Sequence, residues 1–290
     1  MLDTLMTGRP VSADPWSVPA PPRAPSRPPA GSADHREGPR FSVLGPLTAW
    51  HGDAEADLGQ PQQRALLAAL LMQEGSYIAT GRLVEVIWGD GAPATAETIV
   101  RTYVYRLRRA LTSPGGEPRS VIASVTGGYV LRLPSAALDL GAFRRSLELA
   151  RTARESGDRA AEVRHLREGL GLWRDTMPLG GVPGEHAERY RTHLSDLRLS
   201  ALVTRLAAEL ALGRLDPAVA ELSGLVAEHP LDERLRALFM TGLHQSGRRA
   251  EALSTYHEAR AVLRDRLGID PGGHLRRAHA EVLRDDPAPR

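Results

Sequence analysis

Two stretches of this chain match each other at a distance of 34 residues. Gly213-Arg214 recurs as Gly247-Arg248. In the same register Ala218 corresponds to Ala252. A 34-residue period is typical of tetratricopeptide repeats, in which each unit is a pair of helices. Because one pair cannot bury its apolar face alone, the period predicts stacked helix pairs around a continuous core.

Residues 135–290 are predicted to be helical almost throughout. Gly or Pro stands at most junctions between segments of helical periodicity. The predicted helices run over 139–156, 158–173, 184–212, 215–228, 231–246, 248–267 and 271–284. Gly157-Asp158, just before Ala160 and Ala161, looks like an earlier, degenerate copy of the repeat. We therefore expect an all-α, tetratricopeptide-like helical repeat domain.

Residues 39–134 combine strand and helix patterns. The run FSVLGPLTAW (41–50) and a following Gly-Asp turn predict a small antiparallel sheet. Residues 61–75 begin with proline, end with glycine and are apolar over most of their surface. This combination predicts a central, buried helix.

Two more helices and a hairpin complete this region. Thr80 is suited to cap the second helix, and the third runs from Thr95 to about Leu111. The inward face of the second helix is expected to hold Leu83, Val84, Ile87 and Trp88. Two β-rich runs joined by Thr126-Gly127-Gly128 predict the hairpin. Sheet, three helices and hairpin, in this order, predict an α+β winged helix-turn-helix domain.

Residues 1–38 contain eight prolines and are predicted to be a disordered arm. No apolar run is as long as the ~20 residues that span a bilayer. The first residues lack the basic start and apolar stretch of a secretion signal. A cytoplasmic, nucleoid-associated location without membrane contact is therefore expected.

Positive charge is concentrated between the third helix and the end of the hairpin. Residues 98–132 carry six arginines and one acid, a local charge of +5 in a chain of net charge +2. A basic segment of this kind is typical of a DNA-binding face. The residues expected to contact DNA are Thr98, Arg101, Thr102, Tyr105, Arg106, Arg108, Arg109, Arg119, Thr126 and Arg132.

These residues are expected to contact different parts of the DNA. Thr98 and Arg101 fall in the N-terminal half of the third helix, where recognition helices touch base edges. The arginines near its C-terminal end, Arg106, Arg108 and Arg109, are expected to neutralise phosphates. An ordinary amphipathic helix with a solvated polar face would show the same spacing of polar residues. The order of the surrounding elements favours DNA binding.

Two other classes of function are an enzyme and a protein-binding scaffold. The chain has no cysteine and no lysine, which excludes thiolate, P-loop and Schiff-base chemistry. Its ten histidines occur in no HExxH motif, and GxSxG is absent. We therefore expect no catalysis, no cofactor and no metal. A scaffold whose winged helix binds protein stays open, although the +5 segment argues against it.

Several stretches resemble the Streptomyces antibiotic regulatory proteins, the SARP family. The N-terminal ones are FSVLGPL, PQQRALLAALL, RLVEVIWGD, PATAETIVRTYVYRLRRAL and GGYVLRL, which look like a response-regulator-type winged helix. The region from LDLGAF onward resembles that family's bacterial transcriptional activation domain. The resemblance covers about residues 40–285, and no ATPase region follows, which indicates the small type of member.

The resemblance implies a pathway-specific activator of a secondary-metabolite, or antibiotic, gene cluster. Such a protein binds direct repeats in double-stranded promoter DNA near the −35 region, with a homodimer on the DNA as one arrangement. It recruits RNA polymerase holoenzyme through the sigma and alpha subunits. Family members often carry Lys in place of Gln62, and Gln in place of Arg101. Because Arg101 lies on the reading face, the usual repeat sequence is in doubt for this chain.

Overall fold

The computed structural model describes residues 38–112 and 121–284. It confirms the predicted fold class, an α+β winged helix followed by an all-α repeat region. All but the last residue of the expected arm, 1–38, lies outside the described residues, and so does Arg119. In the described ranges no helix is both long and apolar enough to span a membrane.

The winged-helix part begins with an antiparallel sheet of three short strands: β1 (Arg40–Ser42), β2 (Thr48–His51) and β3 (Ala54–Glu55). Helix α1 (Pro61–Met72) follows, with proline in its first turn. Every residue from Ala65 to Leu71 is buried, which confirms the predicted central helix. The helix ends earlier than predicted because the chain turns through positive φ at Glu74 and Gly75.

Two helices and a second sheet complete this part: β4 (Ile78–Ala79), α2 (Thr80–Trp88), α3 (Ala96–Ala110), β5 (Ile122–Val125) and β6 (Gly128–Leu131). Strand β6 pairs with both β4 and β5, so β4 adds a third strand to the predicted hairpin. In α2 the buried residues are Leu83 and Val86. The predicted inward face omitted Val86, and its other three members are half-buried against the core.

The described part of the repeat region contains seven helices: α4 (Asp139–Glu155), α5 (Arg159–Leu170), α6 (Glu185–Ala211), α7 (Leu215–Glu228), α8 (Glu233–Gln245), α9 (Arg249–Leu267) and α10 (Gly273–Arg284). Their bounds agree with the predicted ones to within a few residues. Each helix packs against the next one along the chain, and α10 also packs against α8. A glycine with positive φ precedes the second helix of three pairs, at Gly157, Gly213 and Gly247.

The helix that follows Gly157 differs from the later repeats at one core position. Ala218 and Ala252 lie five residues after their glycines and are completely buried. The equivalent residue after Gly157 is Glu162, rather than Ala160 or Ala161, and it is equally buried. Its carboxylate is 2.7 Å from the guanidinium of Arg159. An ion-paired carboxylate therefore replaces the small residue of the later repeats.

The apolar core is continuous across the expected domain boundary at 134/135. One cluster of buried side chains extends from Phe41 to Ala201 and includes both sheets and α1 to α6. A second cluster extends from Leu206 to Val282. The two meet within α6. The domain limits 39–134 and 135–290 stay a prediction.

We expect Ala218→Leu to destabilise the distal repeats, because three extra carbon atoms must enter a fully packed site. Overpacking of this kind costs about 1–3 kcal/mol. The matched control is Ala220→Leu, on the exposed face of the same helix. Urea unfolding of both variants measures the difference. Equal unfolding free energies would show that α7 is not packed as described.

Candidate nucleic-acid interface

Helix α3 separates an apolar face from a polar one. Its buried side chains are Ala96, Val100, Tyr103, Val104 and Leu107. The other face exposes four of the predicted DNA contacts, Thr98, Arg101, Thr102 and Tyr105. From Thr98 to Arg109 the helix advances by eleven steps of ~1.5 Å, about 16 Å. This length fits one passage through the major groove.

The side chains of this face are accessible. Tyr105 is 61% exposed, and the Arg101 side chain is 67% exposed. Arg101 lies 3.6 Å from Glu97, an exposed pair one helical turn away. Exposed ion pairs of this kind contribute ~0–1 kcal/mol, so a DNA base or phosphate can displace Glu97 at little cost. Arg106 and Arg109 are exposed nearer the C-terminal end.

A shallow depression of about 420 Å³ opens between α2 and the start of α3. It is lined by Gly81, Val84, Ala92, Pro93, Ala94, Thr95, Ala96, Glu97, Thr98 and Arg101. The N-terminal end of a helix favours an anion. Two of the first backbone N–H groups of α3 already donate to carbonyl oxygens, Ala96 to Pro93 at 2.9 Å and Thr98 to Thr95 at 3.0 Å. The negative charge of Glu97 at the rim opposes this preference for an anion, and the positive charge of Arg101 offsets that of Glu97.

The tip of the hairpin is attached to the first turn of α2. Thr80 donates to the carbonyl oxygen of Gly127 twice, from its backbone N–H at 2.9 Å and from its hydroxyl at 3.1 Å. The predicted capping role of Thr80 is therefore wrong, because the hydroxyl reaches the hairpin instead of its own helix. The phenolic hydroxyl of Tyr77 also donates to Thr126. Thr126 itself is exposed at the tip.

The base of the hairpin is attached to the last turns of α3. Arg108 is half-buried and donates through Nε to the carbonyl oxygen of Ile122 at 3.1 Å. Its Nη2 donates to the hydroxyl of Ser124 at 2.8 Å. The sequence carries a signal for this position, since Arg108 follows the buried Val104 by one helical turn. The phosphate contact expected of Arg108 stays a prediction, and in this structure the guanidinium instead connects α3 to β5.

The structure brings most, but not all, of the predicted contacts together. Apart from Arg108, the predicted contacts on α3 are exposed, and Thr126 lies at the tip of the hairpin beside the start of α2. Arg132 is exposed at the opposite end of β6, where its backbone N–H donates to Val121. From Gly128 to Arg132 the chain advances by four strand steps of ~3.3 Å, about 13 Å, and Thr126 lies beyond the Gly128 end of β6. Arg132 and Thr126 therefore cannot contact the same phosphate.

Comparison with known proteins gives two family matches. Residues 138–283, half of the chain, match the bacterial transcriptional activator domain. Residues 55–131 match the C-terminal domain of transcriptional regulatory proteins.

Several curated proteins are similar to this chain. Regulatory protein AfsR of Streptomyces coelicolor is 45% identical over 250 residues, which are 86% of this chain and 24% of that protein. The chain thus spans about a quarter of AfsR. Regulatory protein DnrI of Streptomyces peucetius is 32% identical over 253 residues, 86% of this chain and 93% of that protein.

A solved structure has the same architecture. It is that of Mycobacterium tuberculosis EmbR in complex with a low affinity phosphopeptide, with a TM-score of 0.82 and 32% identity. The similarity covers 87% of this chain and 67% of that one. Winged helix and helical repeats therefore occur in this combination in a related protein.

We expect Gly128→Ala to destabilise the hairpin, because a Cβ atom there would overlap the carbonyl oxygen of Ile78 on the neighbouring strand. A forced backbone shift of this kind costs about 1–3 kcal/mol. The control is Gly224→Ala within α7, where a Cβ meets no neighbouring atom and helix propensity improves by roughly 0.5–1 kcal/mol. Thermal unfolding checks both signs. A Gly128→Ala variant as stable as the parent would contradict the β4–β6 pairing.

Proposed function

Since this chain belongs to the Streptomyces antibiotic regulatory protein (SARP) family of transcriptional activators, we propose that it binds promoter DNA through α3 and the hairpin and recruits RNA polymerase. The family consists of non-enzymatic regulators, and no catalytic role is assigned to the chain. The observation that supports DNA binding best is the exposed polar face of α3 beside a hairpin held by both helices of the helix-turn-helix.

The proposed contacts follow from where each side chain lies. Thr98 and Arg101, near the N-terminal end of α3, contact base edges, with Thr102 and Tyr105 beside them. An arginine that forms two hydrogen bonds to guanine discriminates by ~1–3 kcal/mol. Arg106 and Arg109 neutralise phosphates, and Thr126 and Arg132 meet the backbone at separate places. Arg108 contributes by holding the hairpin, and Arg119 completes the proposed set.

The target and partners are proposed from the family. Direct repeats near the −35 region of promoters in a secondary-metabolite gene cluster are the proposed sites, with two copies of the chain bound as a homodimer. RNA polymerase holoenzyme, through its sigma and alpha subunits, is the proposed partner of the assembled complex. The location that follows is the cytoplasm, at the nucleoid.

The first test concerns sequence preference. We expect Arg101→Ala to weaken binding to the target by about 5- to 150-fold, the equivalent of ~1–3 kcal/mol, and to random DNA far less. Footprinting on the intergenic DNA beside the gene identifies the target, and gel shifts compare it with a random duplex of equal length. The control is Arg234→Ala, an exposed arginine on α8. Equal losses on both duplexes would refute base reading by Arg101.

The second test separates phosphate contacts from support of the hairpin. If four to six arginines per subunit meet phosphates, the logarithm of affinity falls with the logarithm of salt concentration with a slope of about −4 to −5. Arg109→Ala should reduce that slope by ~0.9 and weaken binding to all sequences alike. Arg108→Ala should instead accelerate hydrogen exchange in β5, because it removes two bonds to that strand.

The outcomes of this test are distinct. Unchanged exchange in β5 of Arg108→Ala would show that the guanidinium does not hold the strand. A salt-independent affinity in the parent protein would overturn DNA binding itself and favour a winged helix that binds protein.

A further inference from the structure

Residues 43–47, which connect β1 to β2, are enclosed by the repeat region. We name them the docking loop. Asp139, the first residue of α4, accepts hydrogen bonds from the backbone N–H groups of Val43 at 2.9 Å and Leu44 at 3.1 Å. The hydroxyl of Ser42 donates to the same carboxylate. Burial raises the pKa of Asp139, and these hydrogen bonds act in the opposite direction.

The opposite side of the docking loop is covered by residues 172–182, between α5 and α6, which we name the strap. Its backbone N–H groups donate to the loop carbonyls: Arg174 to Leu44 at 2.8 Å, Leu179 to Val43 at 2.9 Å and Gly180 to Gly45 at 3.1 Å. One bond returns, from Leu47 to Gly180 at 3.1 Å. The strap therefore pairs with the loop much as a further strand would.

Arg174 adds side-chain contacts between the strap and the first sheet. Its guanidinium lies 5.0 Å from the centre of the Trp50 ring. Nη2 donates to the carbonyl oxygen of Pro46 and to the hydroxyl of Thr48, both at 2.9 Å. A cation over an aromatic ring is attracted to it, and more strongly when water is excluded. These bonds connect β2 to a segment of the repeat region.

Apolar packing runs through the same junction. Val43, Leu44, Leu140, Phe143 and Leu179 are all completely buried, although they belong to three separate stretches of the chain. Trp173 of the strap contacts Phe143 of α4 edge to face, with ring centres 5.6 Å apart. The winged helix and the first helix pair therefore share one apolar core.

We propose that Asp139 is a positioning residue, which with the strap holds the winged helix and α4–α6 as one rigid body. Asp139 sets the orientation of α3 relative to the repeats through the docking loop. The point at which the chain divides into independently folding parts then lies within α6, where the two apolar clusters meet. This inference goes beyond the proposed function, because it holds with or without DNA.

The test measures the distance between the two parts in the full chain. Because the sequence has no cysteine, Asp90→Cys in the winged helix and Arg164→Cys on α5 supply two unique, exposed sites for spin labels. Pulsed electron spin resonance should give a single narrow distance distribution without DNA. Adding Asp139→Asn should broaden it. A broad distribution in the labelled parent would overturn the rigid body.

Hydrogen exchange identifies what Asp139→Asn has loosened. Exchange should accelerate in α1 and α3 and stay unchanged in α8 and α9, which belong to the second apolar cluster. The matched control is Asp158→Asn at the start of α5, whose carboxylate accepts from Ala161 and does not contact the docking loop. It should leave the distance distribution narrow.

Two outcomes decide the role of Asp139. A distribution as narrow in Asp139→Asn as in the parent would show that the carboxylate does not position the winged helix. If Asp139→Asn does not fold, Ser42→Ala takes its place. It removes the hydroxyl donor and retains the backbone bonds from Val43 and Leu44. A smaller broadening supports the proposal, and an unchanged distribution overturns it. Because no step requires DNA, failure here leaves the proposed function intact.

Discussion

The docking loop has backbone groups that the first sheet alone does not satisfy. Val43 and Leu44 have buried side chains, and water cannot reach their N–H groups in the folded chain. An unpaired buried N–H costs about 1–3 kcal/mol. These N–H groups donate to the carboxylate of Asp139 on α4, and the carbonyl oxygens of the same residues accept from the strap. Both partners belong to the repeat region. The first sheet is therefore completed by residues that lie about 100 or more positions further along the chain.

A similar dependence on contacts between elements governs the proposed DNA-reading face. The hairpin is attached by Thr80 at its tip and by Arg108 at its base, one residue from each helix of the helix-turn-helix. The relative placement of α3 and hairpin is therefore set before any ligand arrives. Preorganisation of this kind lowers the ordering cost of binding. It also means that α3 need not be altered directly for the fit to DNA to be lost.

The sequence predicted elements well and contacts between distant elements poorly. Helical periodicity, Pro61 in the first turn of α1 and the glycines before the second helix of three pairs are local signals, and the structure confirms them. Thr80 bonds to a residue 47 positions away in the chain, and Arg108 to one 14 positions away. Asp139 bonds to Ser42, which is 97 positions away. Nothing in the local pattern names such partners.

The candidate site shows the same division. The exposed face of α3 follows from spacing alone, whereas the partners of Arg108 on β5, Ile122 and Ser124, could be found only in the structure. The apolar core extends further along the chain than the strand patterns do. A change of pattern near residue 135 marks where strands stop, but burial continues to Ala201. A shift in secondary structure is therefore weak evidence for where a chain can be divided.

Helix α6 belongs to both apolar clusters, and its 27 residues make a rod of about 40 Å at ~1.5 Å per residue. A stiff helix held at one end fixes both the distance and the direction of whatever is attached to its other end. If the winged helix binds DNA as proposed, any molecule bound by the far repeats would then lie at a fixed angle around the duplex. Since B-DNA turns once in ~10.5 base pairs, half a turn of extra spacing would carry that molecule to the opposite side of the double helix. Helical phase, more than linear separation, would govern cooperation between this protein and a neighbour bound to the same promoter.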